Sequence, residues 1–80
     1  MKRYKCVADY QTGDWCVGLV NTATGWLKRM RDWLIYDGVE RPDIIKEVRF
    51  WQSKIRNGEE EELIGYIADK WGLEIKEVKE

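Results

Sequence analysis

The chain has 80 residues, with 14 Lys plus Arg against 15 Asp plus Glu, no histidine and a formal charge of −1 at pH 7. That length gives one domain over residues 1–80, and such a domain buries only about 60% of the surface its unfolded chain exposes, so its core must be small and dense. At 44% hydrophobic and 36% charged the composition is globular; without an apolar run near the roughly 18 residues of a bilayer crossing, or an apolar signal segment, a soluble cytoplasmic protein with no membrane association is expected.

Residues 3–10 and 15–20 read as strands joined by the turn Gln11-Thr12-Gly13-Asp14. Pairing Gln11 with Asp14 sets Tyr10 opposite Trp15, Ala8 opposite Val17 and Cys6 opposite Leu19, which gathers apolar side chains on one face. Cys16 then lies opposite Asp9 on the other face. Alternation along the strands keeps the two sulfurs apart, so no disulfide joins Cys6 to Cys16, and each is read as a small buried or half-buried hydrophobe.

Asn21-Thr22-Ala23-Thr24-Gly25 follows, with hydroxyls at Thr22 and Thr24 suited to capping a helix. Trp26, Leu27, Met30, Trp33 and Leu34 fall within one arc, which predicts a helix over about 24–37 that ends at Asp37-Gly38. Its outer face carries Lys28, Arg29, Arg31 and Asp32, with Ile35 among them. Pro42 opens a second helix, about 42–56, whose apolar stripe is Ile44, Ile45, Val48, Trp51 and Ile55. Lys46, Arg49, Lys54 and Arg56 occupy the rest and Phe50 projects roughly opposite the stripe; Val48-Arg49-Phe50 also alternates as a strand would. Asn57-Gly58 breaks this helix, and Glu59 to Glu62 form the first turn of a third, where carboxylates sit well against the positive end of the helix dipole. Leu63, Ile64, Ile67 and Trp71 make its buried face and Gly72 stops it, before a closing strand from Leu73 to Lys79. The order ββαααβ predicts an α+β fold: a three-stranded sheet, the N-terminal hairpin plus the C-terminal strand, covered on one face by three helices, with the first and last strands neighbours.

Catalytic chemistry has little to work with. Without histidine the chain lacks the usual proton shuttle and the commonest metal ligand. Ser53 is the only serine, and it lies within a helix with no nucleophile-elbow glycine pattern. The glycines match neither a phosphate loop nor a dinucleotide fingerprint, and the carboxylates crowd one exposed turn rather than facing each other across a cleft. No enzymatic activity, catalytic residue, metal site or cofactor is expected.

Binding is what remains. Residues 1–57 hold 11 Lys or Arg against 7 Asp or Glu, whereas residues 58–80 hold 3 against 8. A basic body could offer Lys28, Arg29, Arg31, Lys46, Arg49 and Lys54 to nucleic-acid phosphates; Asp32, Asp43 and Glu47 interrupt that face and the sequence pI is near 5.5, which favours reading the same residues as solvated helix faces. The Glu59–Glu62 run invites comparison with a phosphate mimic, but it also does the ordinary electrostatic work of a helix start. Of five tryptophans, Trp26, Trp33, Trp51 and Trp71 lie on buried stripes and Trp15 is expected on the helix-covered face of the hairpin. Ile35 and Phe50 are left over on charged faces, and together they would make a candidate protein contact.

The opening Lys2-Arg3-Tyr4-Lys5-Cys6-Val7 to Gln11-Thr12-Gly13-Asp14-Trp15, with Glu61-Glu62-Leu63-Ile64, Ile67-Ala68-Asp69-Lys70-Trp71 and Leu73-Glu74-Ile75, resembles small proteins encoded by phages and prophages of Gram-positive bacteria, over about the first 15 and last 20 residues. The resemblance carries no functional residue; it implies an accessory protein of the bacterial host cytoplasm that binds a host or phage protein. The expected function is thus a non-enzymatic protein-interaction module, monomeric or weakly dimeric, with a nucleic-acid-binding accessory protein as the alternative. For the cysteines, intact mass under non-reducing conditions after aerobic purification should match two free thiols, and a loss of two protons would show the disulfide that the sequence argues against.

Overall fold

A computed structural model describes residues 1–11, 13 and 15–79. Its elements are β1 (Tyr4–Asp9), β2 (Val20–Asn21), α1 (Ala23–Tyr36), α2 (Arg41–Arg56), α3 (Glu60–Trp71) and β3 (Leu73–Glu77). The strands form one antiparallel sheet in the order β2-β1-β3, so the first and last strands are neighbours and the fold is the α+β arrangement the sequence predicts. Thr22 caps α1 by accepting the Gly25 N–H at 3.2 Å, Pro42 sits in the first turn of α2, and three glutamates occupy the first turn of α3. Helices α1 and α3 cover the sheet face that carries Tyr4 and Cys6, leaving Lys5 and Val7 exposed on the other, while α2 lies on those two helices rather than on the sheet. Helix α3 packs along β3, and α2 packs against α1 and α3.

The hairpin keeps its expected register but not its expected length. Tyr4 pairs with Asn21 and Lys5 with Val20, and the Cys6 N–H donates to the Leu19 carbonyl at 2.9 Å. Beyond that pair no second strand continues over 15–18. The Gly18 N–H donates to the Cys6 carbonyl at 2.9 Å and the Leu19 N–H to the Cys16 carbonyl at 3.2 Å, closing a tight turn whose Gly18 has φ of 92°. Glycine reaches that conformation at little cost, so the chain turns there instead of laddering. Trp15 is accordingly 75% exposed rather than covered by helices. Val17 is exposed as well, and the predicted pairing of Gln11 with Asp14 involves Thr12 and Asp14, which lie outside the described residues.

On its other side β1 carries a bulge. Cys6 pairs with Ile75 but Ala8 with Glu74 and Asp9 with Leu73, so Val7 is an extra residue in the ladder. A bulge shifts the in-out alternation by one. Cys6 points inward as predicted, but Asp9 and not Ala8 is the next buried residue. Asp9 accepts the Gln11 N–H on Oδ1 at 3.1 Å and the Cys16 N–H on Oδ2 at 3.3 Å. This draws Cys16 into the core beside Cys6 instead of onto the opposite face; both thiols are free and buried.

Trp26, Met30, Leu63, Ile67 and Cys6 form the fully buried centre, where α1, α3 and β1 meet. The Trp26 indole Nε1–H donates to the Tyr4 carbonyl at 3.0 Å, tying α1 to the central strand. Around them lie Leu27, Leu34, Ile44, Trp51, Ile64 and Leu73. Ile45 departs from the predicted α2 stripe and is 41% exposed, because at 100° per residue it is turned away from the α1 and α3 contacts made by Ile44 and Trp51.

Two glycines of α3 should respond oppositely to alanine. Gly72 has φ of 64°, and a Cβ there would stand 2.6 Å from the Gln11 Cγ, so Gly72→Ala should cost roughly 1–2 kcal/mol, read as a fall of about 5–15 °C in Tm. Gly65 lies mid-helix with nothing within 4 Å of an added Cβ, so Gly65→Ala should raise stability by roughly 0.5–1 kcal/mol.

Candidate functional site

Three features of the fold converge at one end of the helix layer: the last turn of α1, the last residue of α3 and the loop that Asp9 anchors. In α1, Trp33, Tyr36 and Asp37 stand at i, i+3 and i+4, the spacing that aligns side chains on one helix face. Trp71 closes α3, and Trp15 and Cys16 come from the loop. Together with Asp9, Asp32 and Leu73 they enclose a groove of about 360 Å³. Trp33 links this groove to the core: its ring centroid lies 5.1 Å from that of Trp71 and 6.4 Å from that of the buried Trp26. Tyr36 is 90% and Trp15 75% exposed, so two large rings stand open to solvent beside two half-buried ones.

The charged side chains lining the groove are all acidic. Asp9 spends its oxygens on two backbone N–H groups. Asp32 makes an exposed ion pair with Arg31 at 3.4 Å, and Asp37, the C-cap of α1, makes none among the described residues. The helix ends add to this, since the carbonyl ends of α1 and α3 both lie here and carry the negative pole of the helix dipole. Two cations stand close by without lining it. The Lys70 Nζ is 5.5 Å from the Trp71 ring centroid, and the Arg29 charge acts to lower the Cys16 pKa. Burial outweighs that influence and, with the Asp9 charge, pushes the Cys16 thiol up; burial does the same at Cys6. Neither sulfur is therefore set up as a thiolate nucleophile. Among the described residues no group of three or more His, Cys, Asp or Glu side chains is arranged to hold a metal ion, and no helix is long and apolar enough to cross a membrane.

Ile35 and Phe50 are exposed but do not share a surface. Ile35 lines a groove of about 540 Å³ between α1 and α2 with Arg31, Val39, Arg41, Ile44 and Ile45. Phe50 lines one of about 400 Å³ on the α3 side of α2 with Lys46, Glu47 and Tyr66, its ring 5.0 Å from that of Trp51. The six basic residues are similarly dispersed in their engagements. Lys28, Arg31, Lys46 and Arg49 are exposed, Arg29 and Lys54 half-buried. Lys54 pairs with Glu59 at 3.0 Å and Glu62 at 3.5 Å, which holds its ammonium pKa above the ordinary value and the Glu59 carboxyl below its own. Glu61 pairs with Lys2 at 3.3 Å, so three members of the acidic run have partners within the chain.

Sequence reasoning missed Trp15, Tyr36, Asp9 and Asp37 as groove residues. For Asp9 a signal existed: an aspartate at the end of a strand whose carboxylate takes the N–H two residues on is the Asx-turn pattern. No comparison with family models, curated proteins or solved structures returns a match to this chain.

Two phenols, the buried Tyr4 and the half-buried Tyr66, make stability sensitive to alkali. Burial, aided by the Glu60 charge, pushes Tyr4 up to about 12. Burial and the hydrogen bond that Tyr66 Oη donates to Glu47 Oε1 at 2.5 Å push Tyr66 to about 12 as well. A pKa raised in the folded state gives stability that is complete below the unfolded value near 10 and lost as pH rises toward 12. The urea midpoint should hold steady up to about pH 10 and fall between about 10 and 12, and Tyr66→Phe should flatten that fall.

Proposed function

We propose that this protein is a non-enzymatic interaction module that holds a partner protein in the aromatic groove between the ends of α1 and α3. The observation that carries this reading is the exposure of Trp15 and Tyr36 beside Trp33 and Trp71. Exposed aromatic rings forgo the roughly 25 cal/mol per Å² that burial would return, and Trp and Tyr are the residues that most often anchor protein interfaces when a partner covers them. The exposed Asp32 and Asp37 define the partner further: a protein that presents a basic surface, since like charges on the two sides oppose docking. That acidic rim also disfavours nucleic-acid phosphates at this groove, and on the basic faces Lys54 and Arg31 already have carboxylate partners. The raised thiols and the absence of histidine support binding rather than catalysis. Resemblance of the chain ends to small phage and prophage proteins supports a role as an accessory protein in the cytoplasm of a bacterial host.

Affinity capture from nuclease-treated bacterial lysate tests this with paired variants. A protein retained by the wild-type chain should be lost about tenfold or more with Trp15→Ser plus Tyr36→Ser, and kept with Ile35→Ser plus Phe50→Ser. Retention that survives the first pair but not the second moves the contact to the faces of α2, and retention abolished by nuclease alone points to nucleic acid instead.

A further inference from the structure

The groove combines two kinds of attraction that rarely coincide by chance. Its walls are aromatic, and its lining charges are carboxylates only. Trp33 and Trp71 meet at 58°, and among the described residues no ring contact joins Trp15 or Tyr36 to them or to each other, so the rings lining the groove of about 360 Å³ are not all stacked on one another. Faces of tryptophan and tyrosine rings carry negative charge density and attract cations. Trp71 already attracts one from its own chain, the Lys70 ammonium 5.5 Å from its ring centroid, and Lys70 does not line the groove. Asp37 stands at the rim without an ion pair among the described residues, at the negative pole of α1.

An apolar anchor entering the groove would strip water from Asp37 and give its charge nothing in return, whereas Asp32 already has Arg31. A cation supplies what both the rings and the Asp37 carboxylate lack. Among cations, the flat and weakly hydrated guanidinium suits a slot between rings, because it stacks on aromatic faces while its N–H fork meets a carboxylate edge-on. A compact ammonium keeps its water shell more strongly and has no plane to stack.

We propose that the groove is a receptor for a guanidinium group, so that the partner protein anchors itself by inserting an arginine side chain between the rings of Trp15, Trp33, Tyr36 and Trp71 with its head group on Asp37. This rests on the groove being the contact surface, as proposed above. It adds the chemistry of the occupant.

Nitrogen-proton correlation spectra of the full chain, titrated with three small probes, provide the test. The probes are N-acetylarginine methylamide, its uncharged citrulline counterpart and its lysine counterpart. The indole N–H signals of Trp15, Trp33 and Trp71 should move saturably with the arginine probe, whereas that of Trp26, buried and bonded to the Tyr4 carbonyl, should stay in place. Citrulline should bind about tenfold more weakly, and Asp37→Asn should weaken the arginine response severalfold while leaving the Trp26 signal, and so the fold, unchanged. An equal response to citrulline overturns the proposal in favour of an apolar slot, and a stronger response to lysine overturns it in favour of an ammonium site. No movement with any probe overturns it outright. If lysate capture still depends on Trp15 and Tyr36 in those cases, the groove stands as the contact surface and only the guanidinium assignment falls; if capture does not depend on them, the groove itself is wrong.

Discussion

A carboxylate does not enter a small core without compensation, and the one at Asp9 organises the surface around it. Its entry depends on Val7, the extra residue in the β1 ladder, which turns Asp9 inward where strict alternation would have turned Ala8. Once inside, Asp9 has to be satisfied, and the N–H groups of Gln11 and Cys16 do so from the connection to β2. The connection is thereby folded over the helix ends instead of standing out as a long hairpin. Cys16 enters the core, and Trp15 next to it is carried to the mouth of the groove. Bulge, buried carboxylate and groove are thus successive consequences of one inserted residue.

The helices were legible because their signals are local. Thr22 at the start of α1, Pro42 in the first turn of α2, the acidic first turn of α3 and Gly72 at its end each act within a few residues, and the apolar arcs of α1 and α3 match the buried residues found except for Trp33 and Trp71, which are half-buried. The adjacency of the first and last strands was expected as well, and β1 is found between β2 and β3. Much of what could not be read was set by partners distant in sequence. The bulge at Val7 is a relation between β1 and β3, some seventy positions apart, and nothing near Val7 announces it. Trp15 was misplaced for a different and local reason: its predicted face followed from continuing a ladder that the turn at Gly18 ends. The groove residues Tyr36 and Asp37 lie at the margin of the α1 arc, and their meeting with Trp71 required the relative placement of two helices.

The near-zero net charge also takes on spatial meaning. Its acidic excess lies in α3 and β3, and Lys2 and Lys54 carry charge from the rest of the chain to it, pairing with Glu61 and with Glu59 and Glu62. Exposed pairs of this kind contribute little each. Their effect here is more on the map of charge than on stability: the Glu59–Glu62 run is partly neutralised where it stands, and the groove's uncompensated Asp37 becomes more conspicuous by contrast.

The sheet closes off one other route of association. An open strand edge offers free N–H and C=O groups on which a second chain can add itself. Here one edge is β2, only two residues long, and the other is β3, where Glu74, Lys76 and Glu77 set alternating charges along the strand. Main-chain templating has almost no purchase on either side, so a visitor to this protein must be recognised by side-chain chemistry rather than by the generic grammar of the backbone.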